Sequence, residues 1–265
     1  MKTSFNISIL GGRGYVGQEI IKIINNHPNF FISNIYSKSS QGKLVDDYNK
    51  SKSLTFKLLD SPDKLDFTDI DIVIMALSNN ESSDYIKSIE GHDPNIIIID
   101  ISADYRFDGG WAYKLPEIAT QTKDKRISNP GCYASAIQFS LFPIKHLING
   151  KVSCMGISGY SGAGATPNEK NDSNNLEGNI IPYSLSGHIH EKEVIRHCYE
   201  EISFSPHVAN FFRGILITSH IQLTKKSSSS EIYDLYKSFY NNKKLIKVIK
   251  EIPMINKVTD DFLVS

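Results

Sequence analysis

The chain has 265 residues, 40% of them hydrophobic, enough for one large domain or two ordinary ones with a packed core. With 29 Lys and Arg against 29 Asp and Glu, no net field draws it toward nucleic acid or a membrane surface. No apolar stretch approaches the roughly 18 residues of a membrane span, the first residues carry no hydrophobic leader, and Cys132, Cys154 and Cys198 match neither a disulfide framework nor a metal spacing. The expectation is a cytoplasmic protein with free thiols and no nucleic-acid or membrane partner.

Phe5 to Leu10 reads as a short apolar strand that runs into Gly11-Gly12-Arg13-Gly14-Tyr15-Val16-Gly17, after which Val16, Ile20, Ile23 and Ile24 recur at helical spacing. Strand, glycine turn and helix in that order suit a pyrophosphate, which lies against close backbone and the free N–H groups of a helix N-terminus. A surface turn is the alternative. The next strand, Phe30 to Tyr36, ends in Ser37-Lys38-Ser39-Ser40, where an NAD enzyme often carries an acid for the ribose hydroxyls. A basic, hydroxylic segment there favours the 2′-phosphate of NADP, with an ordinary polar loop as the competing account. Residues 41–69 show no assignable periodicity. Ile70–Leu77 and Asn95–Asp100 read as parallel strands buried on both faces, joined by a helix with Tyr85, Ile86 and Ile89 on one side. Ligands in such sheets collect beyond the strands' carboxyl ends, which places Ser78-Asn79-Asn80 and Ser102-Ala103-Asp104 near a cofactor.

Ser128-Asn129-Pro130-Gly131-Cys132-Tyr133 sets a thiol at a Pro-Gly corner, and Ile137, Leu141 and Phe142 follow at helical spacing. Cys132 then falls in the first helical turn, where the dipole stabilises a thiolate; a buried structural cysteine is the other reading. Val152–Ser158 reads as a strand followed by the small-residue loop Gly159–Ala165, and the polar stretch to Ile181 as irregular. His188 and His190, two apart, lack a third partner for zinc but suit a general acid/base beside a thiolate; solvent-exposed histidines are the alternative. Residues 204–213 read as a polar hinge before a β-branched strand, with Arg213 at its head as an anion grip or a surface ion-pair member. Ser228 and Glu231 form a capping box for a helix whose Ile232, Leu235, Tyr236 and Phe239 share a face, expected to cover the second sheet.

Gly11-x-x-Gly14-Tyr15-Val16-Gly17, Ser102-Ala103-Asp104-Tyr105-Arg106, Asn129-Pro130-Gly131-Cys132-Tyr133, Ser158-Gly159-Tyr160-Ser161-Gly162-Ala163-Gly164, His188-x-His190 and Pro206-His207 through Arg213-Gly214-Ile215 together resemble the N-acetyl-γ-glutamyl-phosphate reductases, in the shorter variety of that family. Aspartate-semialdehyde dehydrogenases are the wider relatives. The resemblance implies an α/β fold in which a Rossmann-like doubly wound parallel sheet, residues 1–131, binds NADP. An α+β catalytic and dimerisation domain follows, residues 132–265, incomplete at its C-terminal end. It also implies reduction of an acyl phosphate through a thioester on Cys132, with His190 or, as second choice, His188 moving the proton. The implied cofactor contacts are Gly11, Arg13, Gly14, Tyr15, Val16, Gly17, Ser37, Lys38, Ser39, Ser161 and Gly162; the implied substrate contacts are Arg106, Asn129, Ser158 and Arg213. No metal is implied, and assembly as a homodimer or homotetramer is. Ile189 stands where relatives often have a basic residue between the histidines, and Ile118-Ala119-Thr120 where many have an arginine. A dehydrogenase for another acyl phosphate and a non-catalytic NADP-binding remnant are the alternatives.

Overall fold

A computed structural model describes residues 2–119 and 123–258, which fall into two compact units, 2–114 with 123–129 and 115–119 with 130–258. In the first unit β1 (Phe5–Leu10) leads through a glycine turn into α1 (Tyr15–Asn26), followed by β2 (Phe30–Ser37), β3 (Lys57–Leu58), β4 (Ile72–Met75), α2 (Ser83–His92), β5 (Ile97–Asp100), β6 (Ala112–Tyr113) and β7 (Arg126–Ser128). The strands form one sheet in the order β3-β2-β1-β4-β5-β7-β6, with every pair parallel. Alternate residues of β1 enter different cores: Ile7 and Ile9 pack with Ile21 and Ile24 of α1, and Leu10 with Met75 and with Ile86 and Ile89 of α2. That is why these strands read as continuous apolar runs. β2 lies on one side of β1 and β4 on the other, so the strand order reverses at β1 and opens a crevice beyond its carboxyl end.

One expectation for this unit needs correction. The buried face of α1 is Gly17, Ile21 and Ile24, while Val16 and Ile23 are about half exposed. Gly17 sets this rotation, because a Cβ there would lie 2.6 Å from the Gly12 backbone, so the helix packs on its glycine rather than on its longest apolar stripe. The unassigned stretch 41–69 supplies Val45, Tyr48, Phe56, Leu59 and Phe67 to the two cores through short irregular segments whose spacing follows no period.

The second unit begins with α3 (Cys132–Leu141) and a 3₁₀ segment (Phe142–Leu147), then β8 (Val152–Gly159), a 3₁₀ turn (Tyr160–Ala163), α4 (Ser173–Leu176), β9 (Ile180–Pro182), α5 (Ile189–His197), β10 (Ile202–Ala209), β11 (Ile215–His220) and α6 (Ser229–Phe239). Its sheet runs β11-β8-β10-β9, with β8 and β10 parallel and the outer pairs antiparallel. Tyr133, Ile137 and Leu141 of α3 meet Val194 of α5 and Val152 and Phe204 of the sheet in one core. The supposed polar hinge over 204–209 is strand β10, whose Ile202, Phe204, Pro206 and Val208 point inward. Pro206 disguises it: its carbonyl accepts from Tyr183 N–H just beyond the paired end of β9, and its nitrogen faces the same side, so the missing N–H spares the parallel ladder with β8. α6 has its capping box but no fully buried residue, and the helices that cover the sheet are α3 and α5. Among the described residues no helix is long and apolar enough to cross a membrane.

Candidate active site

Pro130 and Gly131 turn the chain into α3 with Gly131 extended at the N-cap, φ −69° and ψ 151°. Cys132 is thus the first helical residue, and it is exposed, whereas its neighbour Tyr133 is buried and donates its hydroxyl to His207 O at 2.6 Å. The alternation follows from helix geometry, in which successive residues face about 100° apart. Anchoring Tyr133 inward therefore turns the thiol outward, at the end of the helix where N–H groups favour an anion. Cys154 and Cys198 are buried, and burial pushes both thiols up, Cys198 to about 12, so neither can replace Cys132 as the nucleophile.

The histidines sit at the start of α5. His188 is its N-cap, and its Nδ1 accepts the His190 N–H at 3.1 Å. Burial, with the Lys170 charge added, pushes His188 below the usual imidazole range against the opposing pull of Glu191. A nitrogen that must stay unprotonated to cap a helix is poorly suited to carrying a proton. The His190 ring lies 4.8 Å from that of His188 and 5.9 Å from Tyr133, centroid to centroid. Its Nε2 is 3.8 Å from Glu193 Oε1, and Glu193 is fully buried. The other oxygen of that carboxylate, Oε2, accepts the Gly131 N–H at 2.9 Å. Glu193 therefore ties the imidazole to the residue immediately before the thiol. Sequence reading passed it over, although the His190-x-x-Glu193 spacing places both on one helical face.

Two turns close the other side. Tyr160 N–H and Ser161 N–H donate to Phe211 O and Phe212 O, each at 2.9 Å, so the 160–163 turn is pinned to the turn that carries Arg213. A Cβ on Gly159 would lie 2.6 Å from Phe212 O, so only glycine permits this approach. Ser158 is buried, with its hydroxyl beside the phenols of Tyr133 and Tyr183, both of which lie within the electrostatic reach of Cys132. Arg213 stacks 5.3 Å from the Phe212 ring. Cys132, Ser158, Ser161, Gly162 and Gly214 border a groove of about 1130 Å³ that continues between α3, β11 and α6.

The crevice residues of the first unit fall into structural and open sets. Gly11, at φ +86°, has space for nothing larger: its Cβ would lie 2.2 Å from Ala76 O. A Cβ on Gly14 meets nothing nearer than 3.8 Å, and the first turn of α1 has neither a side-chain cap nor an acidic residue. Backbone N–H groups there remain available to an anion, which fits a pyrophosphate, with Tyr15 and Val16 exposed alongside. At the end of β2, Arg13 donates to Ser39 Oγ at 3.2 Å and Lys38 pairs with Glu81 at 2.7 Å, gathering two cations and a hydroxyl where a 2′-phosphate would lie. Ser37 departs from the expectation: it is buried, and its hydroxyl accepts the Ser39 N–H, shaping the loop. The loops after β4 and β5 do meet. Asn80 N–H donates to both Asp104 oxygens at 2.8 Å, and Ser82 and Ser102 donate to the buried Asp100 at 3.0 and 2.6 Å. Burial pushes the Asp100 carboxyl up, against those two hydroxyls. Arg106 is also buried, with its guanidinium on Asn129 O and Ile101 O at 3.0 Å each, so it clamps the backbone that leads to Cys132.

Residues 6–125 match the family model described as semialdehyde dehydrogenase, NAD binding domain, and residues 132–264 the semialdehyde dehydrogenase dimerisation domain. The chain is 41% identical over 264 residues to the mitochondrial protein arg-6 of Neurospora crassa, covering 95% of this chain but only 30% of that much longer protein. It is 36% identical over 260 residues to N-acetyl-γ-glutamyl-phosphate reductase of Stenotrophomonas maltophilia, covering 97% of this chain and 82% of that one. The fold is that of aspartate-semialdehyde dehydrogenase II from Vibrio cholerae, with a TM-score of 0.76 at 15% identity over 95% of this chain and 83% of that one. The Candida albicans aspartate-semialdehyde dehydrogenase solved with NADP gives a TM-score of 0.73 at 15% identity, covering 97% of this chain and 86% of that one.

Proposed function

The chain belongs to the N-acetyl-γ-glutamyl-phosphate reductase family of semialdehyde dehydrogenases, and on that premise we propose that it reduces N-acetyl-γ-glutamyl phosphate to the semialdehyde with NADPH, releasing phosphate, as a step of arginine biosynthesis. One observation carries the reading: the exposed Cys132 at the head of α3, joined through the Gly131 N–H and the buried Glu193 to the His190 imidazole.

The Cys132 thiolate attacks the acyl carbon, the C–O bond to phosphate breaks, and a thioester remains on the sulfur. NADPH, when bound, supplies the hydride that reduces this carbon. Gly11, Gly14 and the α1 N-terminus would hold its pyrophosphate, and Arg13, Lys38 and Ser39 its 2′-phosphate. His190 offers a proton to the oxygen that becomes negative and takes it back as the thiohemiacetal collapses, which frees the aldehyde and restores the thiolate. The α3 N–H groups favour negative charge on the oxygen of the reacting carbon. Glu193 orients His190 and holds its charged form, Ser158 and Arg213 contact the substrate, and Arg106 positions the Asn129 backbone. The three cysteines, which form no disulfide among the described residues, suit a reducing compartment such as the cytoplasm, and the match to a dimerisation domain supports assembly as a homodimer or homotetramer through the second unit.

Semialdehyde, phosphate and NADP mixed with the protein should yield NADPH, and Cys132→Ser should yield none while still binding NADPH. Turnover by the serine variant would overturn the assignment.

A further inference from the structure

The segment between the 160–163 turn and α4 carries a cation that the reaction above leaves unused. Lys170 is half-buried, with its Nζ 4.7 Å from the centroid of the Tyr183 ring. Tyr183 meets His188 edge-on with centroids 5.7 Å apart, and its hydroxyl belongs to the Tyr133 and Ser158 group beside Cys132. The segment is firmly held here. Asn168 N–H donates to Asn171 Oδ1 at 2.7 Å, the Asn171 amide donates to Gly164 O and Thr166 O at 2.9 and 2.8 Å, and Lys170 N–H donates to Asn168 Oδ1 at 3.0 Å.

Two neighbouring acids are engaged elsewhere. Asp172 Oδ1 caps α4 through Asn174 N–H at 2.9 Å, and Glu191 Oε2 accepts the Phe204 N–H at 2.8 Å. Among the described residues no carboxylate pairs with Lys170. An aromatic face fixes an ammonium without neutralising it, so the charge stays available to a further anion. The Lys170 charge also reaches His188, where it is the second cause of that imidazole's downward shift, after burial.

We propose that Lys170 is an anion receptor of this active site, a specificity-determining side chain that holds an oxyanion of the substrate, its phosphate or its carboxylate, while Cys132 attacks. The substrate part rests on the function proposed above; the receptor part does not.

Two anion probes separate them. Cys132 alkylation is followed by intact mass with iodoacetate and with neutral iodoacetamide, in the wild type, Lys170→Met and Lys170→Arg. Loss of the lysine charge also alters thiol ionisation, but that change acts on both reagents, so the ratio of their rates isolates attraction of the anion. The expected result is a ratio lowered about tenfold by Lys170→Met and retained by Lys170→Arg; an unchanged ratio in Lys170→Met overturns the proposal. In the phosphate-dependent direction, a rise in the KM for phosphate alone assigns the phosphate to Lys170, and a rise in the KM for the semialdehyde alone assigns the carboxylate. Both KM values unchanged would overturn the substrate role. A wild type that ignores the semialdehyde but keeps the ratio removes the proposed function and leaves the receptor standing.

Discussion

Replacing Glu193 tests the link between thiol and imidazole, because its two oxygens do separable work. Oε2 holds the buried Gly131 N–H at 2.9 Å, and Oε1 stands 3.8 Å from His190 Nε2. Glu193→Gln keeps the shape and an acceptor for Gly131 but removes the charge. At an effective dielectric of about 20, a unit pair at this separation interacts by about 4 kcal/mol, roughly three pH units at about 1.4 kcal/mol each. The amide dipole and local relaxation return part of it. The imidazole limb of the kcat/KM profile should therefore move to lower pH by at least about one unit, with kcat at neutral pH down about a hundredfold. Folding stability should change little, since the hydrogen bond to Gly131 survives. Glu193→Ala removes that bond as well, and an unsatisfied buried N–H costs about 1–3 kcal/mol, which urea unfolding would register as a lower midpoint at constant m. The assay is NADPH formation from semialdehyde and phosphate across pH, beside urea titrations of the three proteins. A Gln variant with the wild-type pH profile would refute the coupling, and an Ala variant as stable as Gln would refute the Gly131 anchor.

His188 should behave as a cap rather than a catalyst. Its folded pKa lies below the unfolded value of about 6.5, so the unfolded chain binds the extra proton first and stability must fall as pH drops through that value and toward the folded one. His188→Asn keeps a good N-cap oxygen without titrating, so it should keep the wild-type kcat within severalfold and flatten the loss of Tm between about pH 7 and pH 5; an inactive, folded Asn variant would reassign the proton to His188. In the glycine turn, Gly11→Ala forces a Cβ to 2.2 Å from Ala76 O at positive φ and should abolish soluble expression, whereas Gly14→Ala meets open space and should fold while binding NADPH more weakly. Fluorescence titration of the Gly14 variant with NADPH reads the second effect, and unaltered affinity there would place the pyrophosphate elsewhere.

What the sequence made legible was local. Phe5 to Gly17 shows its strand, turn and helix because glycine and apolar periodicity act within a few residues, and Pro130-Gly131-Cys132 shows the start of α3 for the same reason. β10 is hidden because a proline interrupts it, and Pro206 is tolerable only for the tertiary reason that its nitrogen faces the short edge strand β9 rather than β8. Arg106 reads as a substrate grip from its motif, yet it is buried on two carbonyls, a partnership set by the path of the chain around β5 and β7. Hydrophobicity alone misplaces the face of α1 because the helix closes on the Gly11-Gly12 turn at Gly17, where closeness rather than apolar area decides the contact.

The same reasoning explains why Glu193 sits where it does. α3 and α5 bring their N-terminal turns to one place: the Gly131 N–H opens the first, and His188 caps the second with its ring 6.4 Å from Tyr133. Two positive helix ends stabilise a thiolate, but they also disfavour a protonated imidazole in the same spot. A fully buried carboxylate bonded to one helix end and facing His190 relieves that conflict, because it attracts the imidazolium while it satisfies the N–H that would otherwise be orphaned. In the proposed reaction this arrangement lets a thiolate and an imidazolium share one pocket, as a thiol nucleophile with a proton donor requires. The proposed pair thus depends on a third residue, visible only when both helices are in place.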